Sequence, residues 1–269
     1  MMIRAVEQFV EAKSVGRVCE DMIVVTDHFA AVIDGASDGT GARFNGKSGG
    51  RLAAETIATA IRGLPADVDA RSFADMLSAV LASAAGDLPP HTRWPVAVVA
   101  CVSADRGEVW RIGDCHVVIG DVEHPSTFLV DEAASRFRAA VNAALLAKGT
   151  PIQKILENDP GSQARRILTD NQQHLANTVG PWGYGCINGK TVPSEYIEVL
   201  PIPEGQAEII LTTDGYTVVQ STLSETEATL ARSIRDDPAA IGELWPIGKS
   251  TRPGANAPDD RAYLRIKLE

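Results

Sequence analysis

The stretch Ala30-Ala31-Val32-Ile33-Asp34-Gly35-Ala36-Ser37-Asp38-Gly39-Thr40-Gly41 is an apolar run that ends abruptly in an acidic, glycine-rich loop. A helical pattern follows, from about residue 46 to residue 62. A buried strand that delivers a carboxylate into a loop of permissive backbone suits a cation site or a phosphate site. Which of the two it is depends on what other segments bring to it.

Upstream, residues 22–26 and 29–33 are short β-rich runs separated by Asp27-His28, a tight hairpin. Residues 3–10 alternate and form a further strand. Downstream, Leu52, Ala53, Ile57, Ala60 and Ile61 recur at helical spacing. A second helix over 72–85 carries Phe73, Met76, Leu77, Val80 and Leu81 on one face, and Leu88-Pro89-Pro90 ends it. Three strands follow at 96–102, 108–112 and 115–119, with turns at 104–107 and at Gly113-Asp114. Residues 131–177 read as helical, with breaks at 149–151 and 159–161. Strands recur at 196–200, 208–212 and 262–268, and a helix spans 223–234.

Strands thus arrive in pairs and triples, and helices in separate groups. This favours antiparallel sheets with helices packed outside over alternating βαβ units. Several strands are apolar almost throughout, so both of their faces are covered. Two stacked sheets flanked by helices, an α+β fold with four layers α-β-β-α, meet that requirement. No repeat or linker divides residues 1–269, which read as a single domain.

The 269 residues carry a formal net charge of −10, with 45% hydrophobic and 22% charged residues. Such a surface argues against nucleic acid or an anionic membrane as partner, and leaves metal cations free to approach. No window approaches ~18 uninterrupted apolar residues, and the first residues have no signal-peptide core. Cys19, Cys101, Cys115 and Cys186 show no CxxC spacing, so zinc or redox chemistry is not indicated. A cytoplasmic setting is expected. His28, His91, His116, His124 and His174 lack metal-ligand spacing, and Trp94, Trp110, Trp182 and Trp245 are scattered. Both sets read as structural or solvated.

Acidic residues mark the borders of five apolar strands: Glu20-Asp21, Asp34-Gly35, Gly113-Asp114, Asp214-Gly215 and Asp259-Asp260. A lone Asp-Gly is a turn signal, and Asp38-Gly39 reads as one. Five acidic borders together suggest carboxylates gathered at one sheet edge, where mutual repulsion raises their pKa values unless a cation intervenes. Oxygen-only ligands suit Mg²⁺ or Mn²⁺, and two such ions can activate water and clamp a phosphoryl group.

In this order, the five acidic borders resemble the metal-dependent PP2C-type (PPM) protein phosphatases. Asn177-Thr178-Val179-Gly180 and the small residues Gly49-Gly50 and Ala53-Ala54 are similar to further family segments. The resemblance implies the α-β-β-α sandwich and hydrolysis of phosphoserine or phosphothreonine in a phosphoprotein substrate. It implies two Mn²⁺ or Mg²⁺ ions, with Asp34 bridging them. Glu20 and the Gly35 carbonyl would complete one ion, and Asp214 and Asp259 the other. Asp21 would support these ligands from behind, and Asp114 and Asp260 are secondary candidates. Asp34, Asp214 and Asp259 are thereby the expected catalytic set, and residues 131–190 correspond to the family's variable helical flap.

Some positions depart from the pattern. The family's phosphate-binding arginine falls at Gly16, with Arg17 one residue off and Lys13 an alternative. A family histidine position is Ala36, and the acid that would complete a third metal site is Val218. These departures keep a catalytically weak, phosphoprotein-binding relative in view. A different class also remains open. Gly41-Ala42-Arg43-Phe44-Asn45-Gly46-Lys47-Ser48 matches the nucleotide-binding pattern GxxxxGK[ST], in which backbone amides cradle phosphates and Lys47 would meet the terminal one. Against it, the preceding strand ends about eight residues too early, and P-loop domains need parallel strands with helical crossovers. The helical stretch also carries Arg136, Arg138, Arg165 and Arg166, either a solvated face or a means of reading phosphopeptides.

Overall fold

In the computed structural model, which describes residues 2–36, 41–87, 94–205 and 208–269, the strands form two five-stranded sheets. The first has the order β1 (Ile3–Glu11), β10 (Arg261–Leu268), β9 (Glu208–Thr212), β6 (His116–Ile119), β7 (Val122–His124). The second runs β2 (Met22–Val25), β3 (Phe29–Gly35), β4 (Ala97–Ser103), β5 (Glu108–Ile112), β8 (Glu198–Pro201). Every pairing in both sheets is antiparallel. The stretches Ser37-Asp38-Gly39-Thr40 and Leu88-Pro89-Pro90, and His91, lie outside the described residues.

The apolar run of β3 is explained by its two covered faces. Ala30 and Val32 point between the sheets, where they meet Ala100, Val102, Leu211 and Leu264. Phe29, Ala31 and Ile33 point the other way, onto Ile57 and Ile61 of α1 (Gly49–Arg62) and Phe73 and Leu77 of α2 (Ala70–Ala85). Trp110 completes this outer core, with ring centroids 6.2 Å from Phe29 and 5.1 Å from Phe73. Met76 and Val80, expected on the buried face of α2, are exposed; Ala70 and Ala74 take that face instead. On the far side of the first sheet, Ile210 and Tyr263 pack against Leu230 of α7 (Leu223–Asp236), together with Leu244 and Ile247. The layers are therefore helix, sheet, sheet, helix.

One strand differs from its sequence reading. β6 follows β5 almost at once but does not pair with it; it joins β9 and β7 in the other sheet. The crossing occurs at Gly113, which has φ 112° and lies over Val98 so closely that a Cβ there would sit 2.2 Å from the Val98 Cβ. A hairpin turn would have kept β6 in the same sheet. The remaining helices α3 (Leu129–Ala147), α4 (Ile152–Asn158), α5 (Pro160–Ala164) and α6 (Arg166–Thr169) fall between β7 and β8. No helix among the described residues is long and apolar enough to cross a membrane.

Antiparallel pairing places alternate strand ends at one edge. The start of β2 lies beside the end of β3 (Met22↔Ile33), and Asp34 is opposite Val98 at the start of β4. In the other sheet, Thr212 at the end of β9 pairs with both His116 and Tyr263, at the starts of β6 and β10. The five acidic borders therefore meet at one end of the sandwich.

Candidate metal centre

A cleft of about 530 Å³ opens at that end, and Asp21, Asp34, Asp114, Asp214, Asp259 and Asp260 line it, as does Gly35. Asp34 is the last side chain of β3, and Asp214 stands just beyond β9 in the opposite sheet, yet both face the cleft and the Asp214 charge bears on the Asp34 carboxyl. Two carboxylates brought that near each other repel unless a proton or a cation is shared between them.

Electrostatics separate the acids into two groups. Burial first, then the negative charges of Asp21, Asp214, Asp259 and Asp114, push the Asp34 carboxyl well above the usual range. Asp21 and Asp114 are raised in the same way, burial again being the largest cause. Asp214 is open to the cleft but hemmed by protein on its other sides, so burial and then Asp259 raise it too. Asp259 behaves oppositely. Burial opposes its ionisation, but the ammonium groups of Lys249 and Lys13 outweigh burial and bring its pKa down to about 2. Lys13 Nζ lies 3.0 Å from Asp259 Oδ1, and Lys249 Nζ contacts Oδ2.

Asp21 and Asp260 tie the loops together. Thr213 Oγ1 donates to Asp21 Oδ2 at 2.7 Å, linking the two sheets. The Asp260 carboxylate accepts from the backbone amides of Lys13 at 2.9 Å and Glu20 at 2.8 Å. Cys19, Asp21 and Asp260 each place one ligand-type atom within 4.8 Å of the others. Burial, and next the Asp21 charge, push the Cys19 thiol up to about 12, so this trio is a neutral thiol beside carboxylates committed elsewhere.

Glycine is required where β3 hands over to α1. A Cβ on Gly35 would lie 2.4 Å from the Gly50 carbonyl oxygen, and a Cβ on Gly50 would lie 2.6 Å from that of Gly35. The helix start therefore presses directly on the backbone that carries Asp34. Ser48 caps α1, accepting from Arg51 N at 3.2 Å, while its hydroxyl donates to Glu20 Oε1.

The Protein phosphatase 2C family model matches residues 11–239. The chain belongs to that family. Its fold is similar to the serine/threonine phosphatase PstP/Ppp of Mycobacterium tuberculosis, at 14% identity over 100% of both chains, with a TM-score of 0.50. It is similar to Stp1 from Staphylococcus aureus at 12% identity, over 100% of this chain and 96% of that one, with a TM-score of 0.52. The catalytic domain of PstP in complex with two manganese ions matches at 14% identity, over 100% and 99% of the two chains, with a TM-score of 0.51. At these identities the likeness establishes the fold. No curated protein matches the chain in sequence.

Within this family fold, Asp34, Gly35, Asp214 and Asp259 converge on one cleft. Asp114 and Asp260 line it as well. Of the pair Glu20-Asp21, Asp21 faces the cleft, whereas Glu20 sits behind it beneath the cap of α1. Arg17 stands away from the acids: it is exposed and lines a neighbouring cavity. Two side chains in the cleft had no motif to announce them. Lys249 lies in a loop between α7 and β10. Asp131, in the first turn of α3, accepts from Gln172 Nε2 at 2.6 Å. Burial raises the Asp131 carboxyl despite that bond. His174 is exposed on the cleft wall.

The nucleotide-binding pattern does not form a phosphate cradle. β3 ends at Gly35, before the pattern begins. Residues 44–47 instead make a tight turn, with Asn45 and Gly46 at positive φ and Phe44 N donating to Lys47 O at 2.8 Å. Lys47 pairs with Glu55, which also receives Arg51 Nε at 2.7 Å. The sheet is antiparallel, so no helical crossover places a strand beside this loop.

Proposed function

We propose that the protein is a metal-dependent phosphatase acting on phosphoserine or phosphothreonine in protein substrates. The observation that carries this reading is the convergence of Asp34 and Asp214, two carboxyls from opposite sheets, on one cleft among other raised acids. The donor set suits hard cations: the cleft offers carboxylate oxygens and the Gly35 backbone, and burial has made those acids costly to ionise alone. Asp34, Asp214, the Gly35 carbonyl, Asp259 and the Glu20-Asp21 pair would hold two Mn²⁺ or Mg²⁺ ions. Bound there, the ions supply Lewis-acid polarisation of a phosphoryl oxygen and a water of lowered pKa.

The protein's own groups set the rest. Asp34 would link the two halves of the centre, because it precedes Gly35 in the chain and shares the cleft with Asp214. Asp21 and Asp260 hold the loops from Lys13 to Asp21 against the start of β10. Lys249 and Lys13 bring positive charge to the Asp259 side, where a substrate phosphate would need it. Residues 131–190 would act as a flap over this centre within one phosphatase domain, with Asp131 and Gln172 as its contribution to the wall. The four free cysteines suit a reducing, cytoplasmic setting.

The test is Mn²⁺-dependent hydrolysis of p-nitrophenyl phosphate by Asp34→Asn and Asp214→Asn variants that keep the wild-type circular dichroism. Loss of turnover in both supports the reading; full activity in both, or activity indifferent to chelation, defeats it. A second reading, a phosphoprotein-binding relative with little turnover, draws on the two ammonium groups that already satisfy Asp259. Metal binding without hydrolysis would favour it.

A further inference from the structure

A second cavity, of about 840 Å³, adjoins the acidic cleft and shares Asp131, Gln172, Gln173 and Lys249 with it. Its charge is opposite in sign. Lys13, Arg17, Arg165, Arg166, Lys249 and Arg252 line it, although the chain as a whole carries a net charge of −10. Among the described residues, the guanidinium groups of Arg17, Arg165 and Arg252 have neither an ion pair nor a hydrogen bond. The acids on the same wall are committed. Asp159 binds Arg138, Asn142 and Ser162; Asp170 lies 3.8 Å from Arg166; Asp131 accepts from Gln172.

The groove is held rigidly. Arg138 is fully buried and donates to Asp159 Oδ2 at 3.0 Å, to Ala240 O at 2.7 Å and to Ala239 O at 2.7 Å. Ser250 N donates to the same Asp159 oxygen at 3.0 Å. This network fastens the wall carrying Arg165 and Arg166 to the loop carrying Lys249 and Arg252. Burial, and then the positive charge of Arg138, lower the Arg165 pKa against the pull of Asp159, Asp131 and Asp259. A partly buried guanidinium without a partner, on a fixed frame, is poised for a carboxylate or phosphate that can take it bidentately.

We propose that this cationic groove is a specificity subsite, which binds an anionic segment of the substrate flanking the phosphorylated residue. The inference rests on the phosphatase reading above. It takes its substrates to be phosphoproteins whose neighbouring residues are acidic or carry a second phosphate. The shared wall would let one peptide cross from the groove into the cleft.

Three synthetic peptides test it, each with the same phosphothreonine, flanked by glutamines, by glutamates or by a second phosphoserine. Wild-type kcat/KM with Mn²⁺ should favour the anionic peptides by about tenfold, equivalent to about 1.4 kcal/mol. In Arg165→Gln/Arg252→Gln the preference should fall below about threefold, chiefly through KM, and it should fade as salt rises. Arg252→Gln alone alters an exposed side chain, so a folding defect is not expected, and it should show part of the loss. Preference for the glutamate peptide assigns carboxylates as the ligand; preference for the doubly phosphorylated peptide alone assigns phosphate. Fluorescence anisotropy with the same labelled peptides reads binding independently of turnover. Binding that depends on the arginines, without hydrolysis of any peptide, would retire the phosphatase reading and keep the groove. Equal rates and affinities for all three peptides overturn it. So does a preference untouched by the double substitution, or binding of a single-stranded oligonucleotide in place of the anionic peptides.

Discussion

Lys249 closes on Asp259: its ammonium meets one carboxylate oxygen, while Lys13 Nζ holds the other at 3.0 Å. Asp259 is thereby charge-balanced by the protein itself, whereas Asp34 and Asp214 are not. A divalent ion using Asp259 must compete with the Lys249 ammonium. Lys249→Met should therefore tighten Mn²⁺ binding, by about tenfold if the competing contact is near 1.4 kcal/mol. Titration calorimetry reads this directly. Affinity that is unchanged or weaker would show that Lys249 does not compete.

Raised carboxyls make metal-free stability depend on pH in a defined direction. Asp34, Asp21, Asp114 and Asp214 bind protons more tightly in the folded chain than in the unfolded one. Their stabilising effect is complete at low pH and is lost as pH rises from the ordinary carboxylate range through the raised values. Without metal, the melting temperature should fall across this window. Asp34→Asn should flatten the fall and melt higher than wild type at about pH 8, since it removes one buried charge. Differential scanning calorimetry in a chelator provides the measurement. A wild-type melting temperature that rises with pH there would contradict it.

The contact of Gly35 with Gly50 predicts a local lesion with a functional readout. Gly50→Ala places a Cβ 2.6 Å from the Gly35 carbonyl oxygen, and both partners are backbone. The helix start must shift, at a cost of about 1–3 kcal/mol. Because Gly35 follows Asp34, Mn²⁺ affinity should weaken along with stability. Urea unfolding and metal titration together test this; a variant with wild-type values in both would show that the junction tolerates the methyl.

Arg138 and Asp159 form a buried pair on which the neighbouring groove depends. Arg138→Met leaves the Asp159 carboxylate without its cation and frees the carbonyls of Ala239 and Ala240. Breaking one side of such a pair costs about 3–5 kcal/mol. Chemical denaturation should show a loss of that order, and a loss under about 1 kcal/mol would mean that water replaces the guanidinium.

Much of this centre could be read from the chain because its parts are local. An apolar strand that stops at Asp34-Gly35, and another at Thr213-Asp214, each show in a few consecutive residues. The grouping of strands, without helices between them, pointed to antiparallel sheets for the same reason. Lys249 and Asp131 left no such mark. Each is one charged residue outside the acidic strand borders, and it reaches the cleft only because the segment bearing it folds back over the sandwich. Arg17 shows the converse: it is one residue from a family position, yet it faces the neighbouring cavity.

By itself, the sequence determined that carboxylates stand at the ends of buried strands, since burial periodicity and turn chemistry are properties of short segments. It also determined that Gly41–Ser48 precedes a helix. Only the tertiary structure decided that β6 changes sheets at Gly113, and that Asp34 and Asp214 converge on one cleft. It alone decided that two lysines neutralise Asp259 and that the unpaired arginines share one groove. These are contacts between distant segments. Their charge balance is set by distance and burial, quantities that arise only once the two sheets have stacked.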